Sequence, residues 1–161
     1  MEMKYIFSIL FLINSFSTFG QSFNDDNIAL TNFIKRMYKA KPFEGVKVID
    51  DYDHQYFISV ISLETAKYSN PSIMNRVAQV KSQSQANVFF NGSVISSDLI
   101  IKTTEQKSND SSSTVVETIE SIKENAVGFT QGMELLVNFD NADGKRMVFI
   151  YYREIKMGIQ N

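Results

Sequence analysis

The residues with the clearest potential for chemistry are clustered between positions 50 and 54. The single histidine of the chain, His54, stands beside three carboxylates, Asp50, Asp51 and Asp53. A histidine paired with a carboxylate is the base of a hydrolytic triad, and grouped carboxylates are the ligands that hard divalent cations prefer. The same composition is typical of a polar turn, because aspartate bonds to nearby backbone groups. We expect a turn at residues 51–54, without catalytic or metal-binding residues.

Three further observations disfavour a catalytic or metal centre. Neighbouring strand residues point to opposite faces, so Asp50 and Asp51 cannot converge on one ion. The second acidic stretch, residues 140–144, lacks the ligand order of a calcium-binding loop, and neither Gly128 nor Gly132 leads into a Lys-Ser or Lys-Thr pair. The chain has no cysteine, which excludes thiolate catalysis and disulfides. We therefore expect no enzyme and no cofactor.

The first twenty residues are typical of a secretory signal peptide. Lys4 provides a positive charge, and the apolar run YIFSILFLI follows it. This run is about half of the roughly 20 residues that span a bilayer. Thr18 and Gly20 then occupy the −3 and −1 positions of a peptidase site. We expect cleavage between Gly20 and Gln21.

Cleavage at this site leaves one exported domain, residues 21–161, which is 161 − 20 or 141 residues. A chain of that size buries roughly two-thirds of its unfolded surface and needs no disulfide. The formal net charge is −2, and its basic residues form no cluster that would neutralise phosphates. We expect a periplasmic or secreted protein, or one associated with the outer membrane, that binds no nucleic acid and keeps no transmembrane span.

Periodicity of the apolar residues predicts two helices and six strands. Asn70, which precedes a proline, marks the start of the second helix, and three small residues in that helix, Ala78, Ser82 and Ala86, would let it lie close to a sheet. Residues 114–125 favour a strand that returns antiparallel to the one before, but their spacing also fits a helix. In chain order, the ranges are a helix at 27–39, strands at 46–50 and 55–63, a helix at 70–91, and strands at 94–105, 114–125, 133–139 and 146–155.

The element order αββαββββ predicts an α+β fold, with one antiparallel sheet of about six strands and both helices on one face. The strand at 55–63 is apolar on both sides. One side carries Phe57, Ile61 and Leu63, and the other carries Tyr56, Ile58 and Val60.

The last two strands form a predicted hairpin, and its register decides which side chains meet the helices. A four-residue loop from Asn141 to Gly144 pairs Val137 with Val148, and a loop one residue longer would exchange the two faces. We favour the shorter loop because Val148 and Ile150 suit a helix-covered face. The opposite face then carries an apolar patch, which is typical of an interaction surface. This candidate partner surface consists of Leu136, Met147, Phe149 and Tyr151.

Residues 76–155 resemble a known family. The helix RVAQVKSQSQANVFF, the segment GSVISSD, the run ENAVGFTQGMELL and the hairpin NFDNADGKRMVFIYYREI carry the resemblance. Together they are similar to the exported 20-kDa-lipoprotein type of domain and to the N-terminal domain of flagellar assembly protein T. The resemblance implies an α+β fold and an envelope location, and it implies no catalytic residues. Members are often lipidated, whereas this chain has no cysteine.

These observations favour a non-enzymatic envelope or secreted protein that binds another envelope protein or itself. The alternative is a carrier of a small apolar ligand, in a pocket between helices and sheet. Phe33, Tyr56, Phe89 and Phe90 would line that pocket.

The export signal gives the first testable prediction. The mature protein should begin at Gln21, because the peptidase site ends at Gly20. Intact-mass measurement of the protein recovered from the exported fraction checks this, and retention of residues 1–20 would contradict it.

Overall fold

The computed structural model describes residues 25–51, 54–92, 99–102, 119–120, 122–123 and 126–155. The described strands form one sheet in the order β3-β1-β2-β5-β4, in which β1 and β3 are parallel and the other neighbours antiparallel. In chain order, the elements are α1 (Asp25–Ala40), β1 (Gly45–Asp51), β2 (His54–Glu64), a 3-10 turn (Thr65–Lys67), α2 (Pro71–Gly92), β3 (Ile100–Lys102), α3 (Ala126–Gln131), β4 (Glu134–Asp140) and β5 (Arg146–Ile155).

The central strand β2 is buried on both faces, from residue 55 to residue 63. The predicted division of its side chains is confirmed, because the two sets belong to two separate core clusters. A strand that is apolar on both sides needs cover on both sides. The prediction that both helices pack on one face is therefore wrong: α1 covers one face of the sheet, and α2 covers the other.

The two cores lie on opposite sides of the sheet. On the α1 side, Leu30, Ile34 and Tyr38 of the helix pack on Ile49, Tyr56, Ile58, Val60, Val148 and Ile150. On the α2 side, the cluster includes Met74, Ala78, Ala86, Phe89 and Phe90 of the helix, Phe129 of α3, and Val48, Phe57, Ile61, Phe149 and Tyr151 of the strands.

The position of α2 follows from its cap and its small residues. Asn70 accepts a hydrogen bond from the backbone N–H of Ile73 at 2.9 Å, which is an N-cap interaction. The predicted stripe of small residues, Ala78, Ser82 and Ala86, is fully buried, so the expected close approach to the sheet is confirmed. A second apolar stripe of this helix points away from the sheet. Ile73, Val80 and Val88 are all exposed.

The predicted sheet of six antiparallel strands is also wrong. Within the described residues there are five strands, and β3 pairs parallel with β1. Residues 119–120 and 122–123, where we favoured a strand, are helical. The reason is packing: Ile119 is buried in the α2-side core and Ile122 packs against it, and helical spacing brings residues three apart to the same side.

The hairpin between β4 and β5 forms as expected, with a different register. The N–H of Asn141 donates to the carbonyl of Arg146 at 2.8 Å, and Gly144 adopts a left-handed φ of 67° in the turn. Val137 pairs with Ile150 rather than with Val148. The register shifts again between Leu135 and Val137, where a β-bulge occurs. Neither of the two loop lengths considered above gives this pairing.

No helix in the described ranges combines the length and the apolar character that crossing a lipid bilayer requires.

The interface between α2 and the sheet gives a stability prediction. The hydroxyl of Ser82 is buried and, within the described residues, makes no hydrogen bond, whereas the hydroxyl of Ser59 donates to Gln85 Oε1 at 2.8 Å. Ser82→Ala should stabilise the protein by about 1 kcal/mol, because it removes an unsatisfied buried polar group. The matched variant Ser59→Ala should destabilise it by about 1 kcal/mol, because it leaves Gln85 without its donor. Thermal unfolding of both variants is the measurement, and a lower midpoint for Ser82→Ala would contradict it.

Candidate functional site

His54, Asp50 and Asp51 lie at the end of the sheet where β1 leads into β2. His54 Nδ1 lies 2.9 Å from Glu154 Oε1, and both side chains are nearly half exposed. Asp50 is buried and Asp51 exposed, as strand parity requires, and Gln55 Nε2 donates to Asp50 Oδ1 at 3.4 Å. Asp53 lies outside the described residues. Among the residues described, no three His, Asp or Glu side chains gather closely enough to hold a metal ion.

The candidate partner surface is divided by the sheet. Phe149 is fully buried and Tyr151 nearly so, both beneath α2, and the hydroxyl of Tyr151 donates to the carbonyl of Asn75 at 3.3 Å. Burial raises the pKa of the Tyr151 phenol. Met147 is half-buried against the same core, while Leu136 is half-buried on the α1 side. The predicted placement of this patch on a face without helices is therefore wrong, because α2 covers that face.

The residues expected to line a ligand pocket are divided in the same way. Phe89 and Phe90 form a packed aromatic core with Phe57 and Phe129, with ring centroids 5.0 to 5.7 Å apart. Phe33 and Tyr56 lie on the α1 side. The sheet separates the two groups, so these residues do not line a common cavity. The cleavage-site residues Gly20 and Gln21 lie outside the described ranges.

The sheet edge formed by β4 is a candidate recognition feature in the described part of the chain. There, β4 pairs with β5 alone and ends the sheet. Because Asn141 bonds to Arg146, alternation along the antiparallel ladder turns the backbone groups of Val137 and Phe139 towards β5. The N–H and C=O groups of Asn138 and Asp140 then point away from the sheet. They form a row of donors and acceptors along its edge.

The bulge in β4 brings consecutive apolar side chains to the α1 side. Leu136 and Val137 both pack against the α1-side core, as does Phe139. The α1 helix lies along β4 and leaves an open cleft at each end of their contact. We call these the amino-terminal cleft and the carboxy-terminal cleft, and together they flank the free edge of β4.

The amino-terminal cleft has a volume of about 410 Å³ and a lining of both apolar and polar residues, with one acidic group. Among the described residues that line it, Glu134 is the only charged one, and within the described chain it forms no ion pair. The floor is apolar. The lining includes Ile28, Thr31 and Asn32 of α1 together with Glu134, Leu136 and Tyr152 of the sheet.

The carboxy-terminal cleft has a volume of about 350 Å³ and an aromatic wall. The ring of Tyr38 meets Phe139 edge to face at 5.5 Å and Phe43 at 6.1 Å, and Lys35 Nζ lies 5.8 Å from the centre of the Phe139 ring. Burial is the main cause that raises the pKa of the Tyr38 phenol, and the nearby carboxylate of Glu44 adds to it. At the rim of the cleft are Lys39, Pro42, Asp140 and Asn141.

A network around Arg146 lies beside Tyr38 of this cleft. Its Nε donates to the Ser62 hydroxyl at 2.7 Å, and its Nη2 donates to the Ser62 carbonyl at 2.9 Å and to Glu44 Oε1 at 3.0 Å. Arg146 thus ties the first residue of β5 to β2 and to the segment that follows α1. This segment provides Pro42 to the lining of the cleft, so the network holds one wall of the cleft close to the β4–β5 hairpin.

The far end of β5 is held by a second arginine. Arg153 donates to the carbonyls of Gly128 and Phe129 in α3, and its guanidinium lies 4.8 Å from the centre of the Phe129 ring. A Cβ atom at Gly132 would lie too close to the guanidinium of Arg153, so a larger residue there would require this side chain to shift.

The sequence alone did not identify the groove between α1 and β4. Its residues lie in two elements about a hundred positions apart, and no local pattern joins them. No protein-family model matches this chain, and no curated protein or solved structure is similar to it. The geometry of the groove is therefore the basis on which a function can be assigned.

Proposed function

We propose that this protein is a non-enzymatic interaction module that holds an extended segment of another protein against the free edge of β4. The observation that carries the proposal is that, in the described part of the chain, the backbone of Asn138 and Asp140 has no partner strand and lies between two clefts. Main-chain hydrogen bonds to such an edge provide affinity, and clefts that receive alternate side chains provide specificity.

The form of the edge supports a short paired segment rather than open-ended association. Exposed edges are normally protected by charges and bulges. Here the acidic residues Glu134 and Asp140 stand at the two ends of β4, and the bulge lies near its start. The regular part of β4 lies between the bulge and Asp140. We therefore expect the partner to pair with residues 137–140.

The packing of the rest of the domain favours binding at this edge over binding on a sheet face. The α2 helix covers one face and α1 covers most of the other, and the side chains beneath them are buried. The residues that sequence analysis considered for catalysis, His54 and Asp50, are held by partners of their own in the described chain. A role as an envelope or secreted protein belongs to the same proposal and rests on the predicted export signal.

Proline at the edge of β4 tests the proposal. Asn138→Pro removes an N–H that points away from the sheet, so it should leave the β4–β5 ladder intact. Peptides selected on the purified protein from a random display library are the probe. We expect their affinity for Asn138→Pro to fall by about tenfold or more, which corresponds to about 1.4 kcal/mol, with little change in the thermal midpoint.

Asn138→Ala is the matched control, because it removes the same side chain and keeps the backbone donor. It should bind the peptides as the natural protein does. Equal loss in both variants would assign binding to the side chain, and unchanged binding by a folded Asn138→Pro variant would overturn strand addition at this edge.

A further inference from the structure

We infer that the segment held at β4 carries a lysine or arginine and, about four residues away on the same face, an aromatic or large aliphatic side chain. This inference rests on the proposed function and specifies its partner. The basic residue occupies the amino-terminal cleft, and the apolar residue occupies the carboxy-terminal cleft.

The distance between the clefts sets the spacing. Thr31 lies in one cleft and Lys39 in the other, and eight helical residues rise about 12 Å. Four residues of an extended strand span roughly 13 Å. An even spacing is also required, because only side chains an even number apart point to the same face of a strand. Spacings of three or five would send one anchor to the α2 side.

The charge of the amino-terminal cleft selects the basic anchor. Glu134 is its only charged residue among those described, and it is exposed. The apolar floor at Leu136 suits the methylene stem of a lysine or arginine, whose charged head then reaches the carboxylate at the rim. An acidic side chain in the same position would meet like charge, which is destabilising.

The aromatic wall of the carboxy-terminal cleft selects the apolar anchor. Tyr38 and Phe139 already meet edge to face, and Pro42 adds a further apolar surface. A third ring can pack there in the same tilted geometry, which adds to the burial of its area. Lys39 and Asp140, of opposite charge, stand at the rim and leave this cleft without a net preference for charge.

The same charges disfavour a second copy of this chain as the occupant. A copy that paired through its own β4 would bring a second Glu134 and a second Asp140 to an edge that already carries both. Like charges across neighbouring strands are destabilising. We therefore assign the edge to a different, basic partner strand.

Synthetic peptides of alternating threonine and valine are the probe for this inference. One peptide carries lysine and phenylalanine four residues apart, a second carries them three apart, and a third replaces the lysine with glutamate. We expect the first peptide to bind at least about tenfold more tightly than the others by fluorescence anisotropy. Glu134→Lys should reverse the preference between the lysine and glutamate peptides. Glu64→Lys, an equal change of charge at the exposed end of β2, should leave it unchanged.

The outcomes separate this inference from the proposed function. If the peptides bind and Asn138→Pro abolishes their binding, but spacing and charge make no difference, the partner chemistry is wrong and strand addition stands. If no peptide binds in a way that depends on Asn138→Pro, the proposed function itself is overturned. A dimer seen by sedimentation that Asn138→Pro dissolves would overturn the assignment to a foreign partner.

Discussion

The burial of β2 on both faces is the constraint on which the rest of this structure depends. Each side of the strand carries large apolar side chains, and these are removed from water only if both faces of the sheet are covered. At about 25 cal/mol per Å² of apolar area, leaving either side exposed would cost several kcal/mol for its buried side chains. The α1 helix on one face and the α2 and α3 helices on the other meet the requirement, and the result is three layers with the sheet in the middle.

The way in which each face is covered determines what remains at the surface. The α2 helix reaches the sheet closely through Ala78, Ser82 and Ala86, and α3 packs beside it through a hydrogen bond from Thr130 to Asn87. Within the described residues, α1 is the one helix on the other face, and it lies at the side of the sheet that ends in β4. Its contact with β4 leaves a cleft at each end of the strand.

Local sequence pattern was enough to predict several features of this arrangement, and particular residues show which features it could not predict. The alternation in β2, the cap at Asn70 and the small stripe of α2 follow from spacing alone, and all three were confirmed. The prediction that both helices lie on one face was wrong, although the sequence contained the evidence against it: strands that are apolar on both sides indicate cover on both faces. The bulge at Leu136 has no local signal, since it depends on how β4 meets β5 and α1. For that reason the candidate site could not be found from the sequence.

The central claim is that the outer edge of β4 is free to pair. Amide hydrogen exchange of the unliganded protein, resolved by residue with nuclear magnetic resonance, tests this most directly. We expect alternation: the amides of Val137 and Phe139 exchange slowly because they bond to β5, and those of Asn138 and Asp140 exchange fast. Uniform slow exchange along β4 would contradict a free edge, because it would mean that the edge is already paired.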